Sequence, residues 1–177
     1  MAFFAQYALE LYAVVFLLGW FLLPRRETKK RHALVVAGIS GILALVINMI
    51  IGGIWFRPRP FTVLPKGTFV QLIPHPPDSS FPSDHVSGGF GFSSASWGRA
   101  SVAIQWIFTV LTVIVMFARV YVGVHWPTDV LGGMVVGLVS GFVVRRFERF
   151  LRPLTRLGLW IFRMGEFAAK EEPKYNN

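Results

Sequence analysis

The sequence predicts an all-α fold, a polytopic membrane bundle of about five to six transmembrane helices, and three observations carry that expectation. The 177 residues are 54% hydrophobic and 15% charged, against about 25% charged in soluble domains. The apolar residues fall in runs of about 20, the length that crosses a hydrocarbon core. The Lys and Arg residues stand at the ends of those runs, where they act as topology signals. A formal charge of +9 alone would suit a nucleic-acid binder, but apolar runs this long do not, so no nucleic-acid partner is expected. There is no cysteine, which excludes disulfides and thiol chemistry. Residues 1–150 read as one membrane-embedded domain, and 151–177 as a basic amphipathic segment and cytoplasmic tail.

The first run, Phe3 to Leu23, is interrupted only by Gln6 and Glu10. No basic region precedes it, so it is expected to stay as a span, with Glu10 facing the bundle or water. Pro24 to His32 is a short loop with five Lys or Arg residues. A second span covers Ala33 to about Phe56, with Gly38, Ser40 and Gly41 as points of close helix approach. Asn48 is its one strongly polar side chain, placed for an interhelical hydrogen bond. From Arg57 to Ser83 the chain is rich in proline, and each proline pushes its predecessor toward extended backbone, so the connection is stiff and irregular.

Pro82-Ser83 signals a third helix over Asp84–Trp97, whose first-turn amides attract anions. Its Gly, Ser, Ala, Val and Phe residues suit an interior position. Gly98-Arg99 turns the chain into a fourth span, Ser101 to about Ala118, which delivers Arg119 at its far end. The fifth span, Pro127 to about Val144, carries Gly133, Gly137 and Gly141 at intervals of four, a smooth ridge for tight contact. Residues 145–163 are basic and amphipathic, and Glu171 to Asn177 read as a disordered tail.

Counting helices tests this segmentation. Five spans put 24–32, 98–100 and everything after 144 on one side, together with 14 of the 18 Lys and Arg residues. The positive-inside rule makes that side cytoplasmic. The other four, Arg57, Arg59, Lys66 and Arg119, reach the opposite face with Ser83, Asp84, His85, His125 and Asp129. In Ala118–Asp129, His125 supplies a nucleophilic nitrogen and Arg119 a planar cation for phosphate oxygens. Asp129, in the helix turn opened by Pro127, is the acceptor expected to fix the imidazole tautomer. An interfacial loop with an ordinary His-Asp hydrogen bond is the plainer reading of the same residues.

Arg59-Pro60, then Pro82-Ser83-Asp84-His85, then Arg119 followed by His125 and Asp129, together resemble the three-part signature of the type 2 phosphatidic acid phosphatase superfamily. Leu72-Ile73-Pro74-His75 leading to Phe81-Pro82-Ser83-Asp84-His85 resembles its undecaprenyl pyrophosphate phosphatases of the bacitracin-resistance type. The resemblance implies a metal-independent lipid phosphatase of the bacterial plasma membrane, its site on the extracytoplasmic face and no cofactor. The implied partners are a polyprenyl pyrophosphate substrate and membrane lipids. It further implies that His125 is the nucleophile forming a phosphohistidine, Asp129 its orienting carboxylate and His85 the acid for the leaving phosphate. Arg59 and Arg119 become the phosphate clamp, and Ser83 with the following amides the cradle. The chemistry is coherent by itself, since fixed guanidinium groups and amides stabilise charge that develops on equatorial oxygens, and a nucleophilic histidine needs a second one as acid.

This sequence departs from the pattern at three places. Gly52 stands where the family has a lysine, leaving Arg57 or Lys66 to supply that charge. Ala118 replaces a serine before the second arginine. Asp84, where many members have glycine, either tunes His85, contributes to substrate binding or caps the helix. Rival readings are a zinc hydrolase on His85, His125 and Asp129, which the crowding arginines oppose, and a vanadate haloperoxidase, which the spans oppose. Phosphatidylglycerophosphate or phosphatidate phosphatases, and a lipid-binding or transport protein without chemistry, are the remaining alternatives. His32 reads as a solvated loop residue, His75 as a loop residue near the entrance, and Tyr121 and Trp126 as interface anchors.

Overall fold

The computed structural model describes residues 1–65 and 67–168. Lys66 and the tail Glu171–Asn177 lie outside the described residues. The described chain is helical: α1 (Ala2–Gln6), α2 (Ala8–Leu22), α3 (Thr28–Ile54), α4 (Pro60–Val63), α5 (Asp84–Ser96), α6 (Val102–Tyr121), α7 (Pro127–Arg146) and α8 (Arg152–Ile161). Helices α3, α6 and α7 are long and apolar enough to cross a bilayer, and α2 is a shorter apolar helix. α5 packs against α3, α6 and α7 at once. That position explains its composition, because a helix surrounded by other helices needs small side chains that let its neighbours close in.

The approach is tight on both flanks of α5. A Cβ on Gly137 of α7 would lie 2.5 Å from Ser87 O and Phe90 Cβ, and one on Gly91 of α5 would lie 2.9 Å from Ser40 O of α3. Polar side chains lock the same contacts. Asn48 Nδ2 donates to Asp84 Oδ1 at 2.9 Å while Ser87 Oγ donates to Asn48 Oδ1 at 3.1 Å, the interhelical bond predicted for Asn48. The Thr112 hydroxyl donates to Phe108 O at 2.7 Å, so Tyr12 Oη donates to Thr112 Oγ1 at 2.8 Å and joins α2 to α6.

Several elements differ from the sequence expectation. The first apolar run is two helices, because Tyr7 departs from helical geometry at φ −107° and ψ 21°. The Ala5 carbonyl, which a continuous helix would give to the N–H four residues on, accepts from Arg119 Nη1 at 2.8 Å. Glu10 is exposed on α2. α3 starts at Thr28 rather than Ala33, so it takes Lys29 to His32 of the basic loop into its first turns. Arg31 there is fully buried and donates to the carbonyls of Trp20 at 2.9 Å, Pro24 at 2.8 Å and Leu23. These belong to the end of α2, which cannot satisfy its last carbonyls and attracts a cation there.

The proline-rich connection contains the short helix α4, opened by Pro60 in its first turn. α6 runs to Tyr121, which puts Arg119 inside its last turn rather than beyond it. After α7 a 3₁₀ turn over Glu148–Leu151 leads into α8, which lies across the ends of α2 and α3. Leu159 and Met164 join Trp20 and Leu34 in the core, and Phe162 meets Trp20 and Phe21 edge-on. The basic segment is therefore packed onto the bundle as well as amphipathic. The starts of α1, α5 and α7 and the ends of α3 and α6 meet at one end of the molecule, about 40 Å from the start of α3 at 1.5 Å per residue.

Candidate active site

His125 lies in the turn between α6 and α7, made possible by Gly123 at φ +77°, where a Cβ would also strike Val70 O at 2.8 Å. The imidazole is 3% exposed, and Nδ1 sits 2.9 Å from the Ser80 carbonyl oxygen. A carbonyl only accepts, so Nδ1 carries the proton and Nε2 the lone pair. That lone pair accepts from Arg59 Nη1 and Arg119 Nη2, each at 3.2 Å.

Asp129 Oδ2 stands 3.5 Å from His125 Nδ1, farther than the Ser80 carbonyl. The tautomer that was expected to depend on Asp129 is thus set first by a backbone oxygen. Asp129 works one step behind it. Its Oδ2 accepts from the Trp126 N–H at 2.8 Å and from the Ser80 hydroxyl, and its Oδ1 accepts from Arg57 Nη1 at 2.7 Å. One carboxylate so closes the first turn of α7 and pins the Ser80 segment. Ser80 was missed in the sequence, where it is one of two serines at the end of a proline-rich loop with nothing to mark it.

Arg59 and Arg119 are almost fully enclosed. Arg59 donates from Nε to Asp78 Oδ1 at 2.8 Å, from Nη1 to Val124 O at 2.9 Å and from Nη2 to Ser79 O at 3.1 Å. Arg119 is held by Ala5 O and by His75 Nε2, 3.0 Å from Nη2. Because His75 Nδ1 donates to Pro76 O at 3.1 Å, its Nε2 is the acceptor for Arg119. His75 therefore belongs to the cluster rather than to its approach.

Arg57 is one of the two residues, with Lys66, expected to supply the charge missing at Gly52. Its Nη1 is taken by Asp129 and by Thr128 Oγ1 at 2.6 Å, so its charge supports Asp129. Lys66, the other candidate, is outside the described residues. Asp84 turns its carboxylate to Asn48 and ties α5 to α3. Ser83 is at the N-cap of α5, donates its backbone N–H to Asp129 O at 3.1 Å, and keeps a buried hydroxyl with no partner among the described residues. His85 follows in the first turn of α5, where the charges of Arg119 and Arg59 bear on it.

Burial, the largest effect, pushes the His125 imidazole down to about 4; Asp129 opposes the shift, and Arg119 and Arg59 add to it. His75 is likewise lowered, first by burial, against the opposing Pro76 hydrogen bond and with Arg59 and Arg119 contributing. Both rings are neutral near pH 7 between two buried cations. Arg119 Nε, like Ser83 Oγ, is buried without a partner among the described residues, so the cluster holds donors suited to an anion.

A helical membrane bundle that collects neutral imidazoles, guanidinium groups and a helix N-terminus at one end is the framework of an integral-membrane phosphatase. Residues 30–153 match the PAP2 superfamily, and the chain belongs to that superfamily. It is 40% identical over 162 residues to the undecaprenyl-diphosphatase BcrC of Bacillus subtilis (strain 168), which covers 92% of this chain and 80% of the relative. The crystal structure of Aquifex aeolicus LpxE shares the fold with a TM-score of 0.62 at 22% identity, covering 81% of this chain and 84% of that one. A transmembrane PAP2-type phosphatidylglycerolphosphate phosphatase from Bacillus subtilis gives a TM-score of 0.50 at 25% identity, covering 84% and 72%.

Proposed function

We propose that this protein is an undecaprenyl pyrophosphate phosphatase that regenerates the lipid monophosphate carrier for cell-wall synthesis, on the extracytoplasmic face of a bacterial plasma membrane. The observation that carries the reaction is the His125 Nε2 lone pair set between Arg59 and Arg119 at 3.2 Å each. The similarity to BcrC supports the choice of lipid, and the basic residues at the opposite end support the orientation. Residues 1–150 form the phosphatase unit, and 151–177 lie on the cytoplasmic side. Enzyme and bacitracin would compete for the same pyrophosphate, which links this activity to resistance.

The terminal phosphoryl group enters between the two guanidinium groups, which transfer their hydrogen bonds from Nε2 to its nonbridging oxygens. Nε2 then attacks phosphorus and the bond to the bridging oxygen breaks. His85 protonates the departing lipid phosphate. Water attacks the phosphohistidine next, giving its proton to His85, and inorganic phosphate leaves with Nε2 restored. Ser83 and the first amides of α5 hold phosphoryl oxygens as charge builds on them. No step needs a metal.

Phosphate release by purified protein in detergent with EDTA tests this reading, using undecaprenyl pyrophosphate, phosphatidylglycerophosphate and phosphatidate at equal concentration. Release is expected to be fastest from the prenyl pyrophosphate and to fall by roughly a thousandfold or more in His125→Ala. Full activity in that variant would overturn the phosphohistidine. A clear preference for phosphatidylglycerophosphate would overturn the substrate, and no release from any lipid would leave a binding protein.

A further inference from the structure

At the end of the bundle opposite His125, a cavity of about 840 Å³ opens between the first turns of α3, the Gly98-Arg99 turn, the 3₁₀ turn after α7 and α8. Five Lys or Arg residues line it, and its two carboxylates are both engaged: Glu148 pairs with Arg99, and Glu166 lies 3.6 Å from Arg156. Arg26, Lys29 and Arg152 also line it and have no acidic partner among the described residues. His32, read from the sequence as a solvated loop residue, is on the wall. Thr155 donates to Leu151 O at 3.2 Å, so the 2.7 Å contact between His32 Nδ1 and Thr155 Oγ1 is donated by the ring. His32 Nε2 is then an acceptor, buried and without a partner among the described residues.

The other flank of α8 borders an apolar cleft of about 360 Å³, lined by Phe16, Trp20, Ile39, Leu157 and Ile161 among others. One short helix thus separates a cationic cavity from an apolar groove. We propose that this end of the molecule is a second lipid site that holds an anionic glycerophospholipid of the leaflet opposite the catalytic cluster. Arg26, Lys29 and Arg152 bind the phosphate, His32 Nε2 accepts from a headgroup hydroxyl, and an acyl chain lies in the cleft. Phosphatidylglycerol has this chemistry. A soluble phosphoester would satisfy the cations and leave the cleft without a role. Held this way, the lipid fastens α8 to α2 and α3.

The test is equilibrium binding of fluorescent phosphatidylglycerol to the detergent-purified full chain, with fluorescent phosphatidylcholine as control. Each cation near a lipid phosphate contributes about fivefold, so Arg26→Gln/Lys29→Gln/Arg152→Gln is expected to lose phosphatidylglycerol binding by at least about tenfold. A variant with the same charge change outside the cavity, Arg25→Gln/Arg146→Gln/Arg149→Gln, is expected to keep it. The thermal midpoint in detergent reports that each variant is folded; if the triple variant is not, Lys29→Gln alone should weaken binding about fivefold. Equal binding of phosphatidylcholine, equal loss in the two triple variants, or an unchanged affinity in the folded cavity variants overturns the site. Displacement by glycerol phosphate as effective as by the lipid overturns the lipid in favour of a soluble phosphoester. Because this assay does not use turnover, its failure is separable from failure of the phosphatase reading.

Discussion

His125 is held by its backbone neighbours as much as by charged ones. The Ser80 carbonyl takes the Nδ1 proton, burial keeps the ring neutral, and the lone pair at Nε2 is left to the arginines. The folded value lies below the ordinary histidine value, so the neutral ring persists as pH falls from 6.5 and is lost only near 4. The acid limb of kcat/KM assigned to this group is accordingly expected near pH 4 in a pH-rate series. A limb at 6.5 that moves with Arg59 or Arg119 substitutions would contradict a pre-neutralised nucleophile. Ser80→Ala keeps the carbonyl but removes the hydroxyl that anchors it to Asp129. We expect kcat to fall about tenfold with KM little changed, as for loss of one charge-assisted hydrogen bond. A rise in KM alone would show that Ser80 acts on substrate and not on the ring.

At the level of helices, polar contacts decide where the apolar segments end. Arg31 belongs to a basic stretch that looks like a topology signal, yet from the first turns of α3 its guanidinium closes the end of α2. Arg31→Met leaves those carbonyls without their cationic donor. It should lower stability by about 3 kcal/mol, read as a drop in thermal midpoint in detergent, whereas Arg25→Met, at an exposed position, should leave it unchanged. Equal midpoints in the two variants would reduce Arg31 to a topology signal. α5 shows the converse case, in which glycine and serine content alone foretold an interior helix, because few side chains permit the approach of Gly137 to Ser87.

Across the whole molecule, charge and chemistry are divided between two ends. The chain has no native cysteine, so single cysteines report sidedness directly. An impermeant maleimide is expected to label Thr68→Cys on intact cells and Arg25→Cys only after permeabilisation; both positions are exposed, and the reverse pattern would invert the proposed orientation. By itself the sequence determined the helical membrane class, the interior α5, the glycine ridge of α7 and the clustering of Arg59, Ser83, His85, Arg119, His125 and Asp129 at one end. Hydrophobic period and charge placement are local properties, and helix counting carries them across the membrane. Only the tertiary structure decided which partner each polar group takes. The Ser80 carbonyl holding His125, Arg57 held by Asp129, His75 accepting from Arg119 and the Tyr7 break beside Ala5 all join segments far apart in the chain. A side chain's type and spacing limit what it can bond, but its partner is chosen by the burial that brings distant backbone within 3 Å.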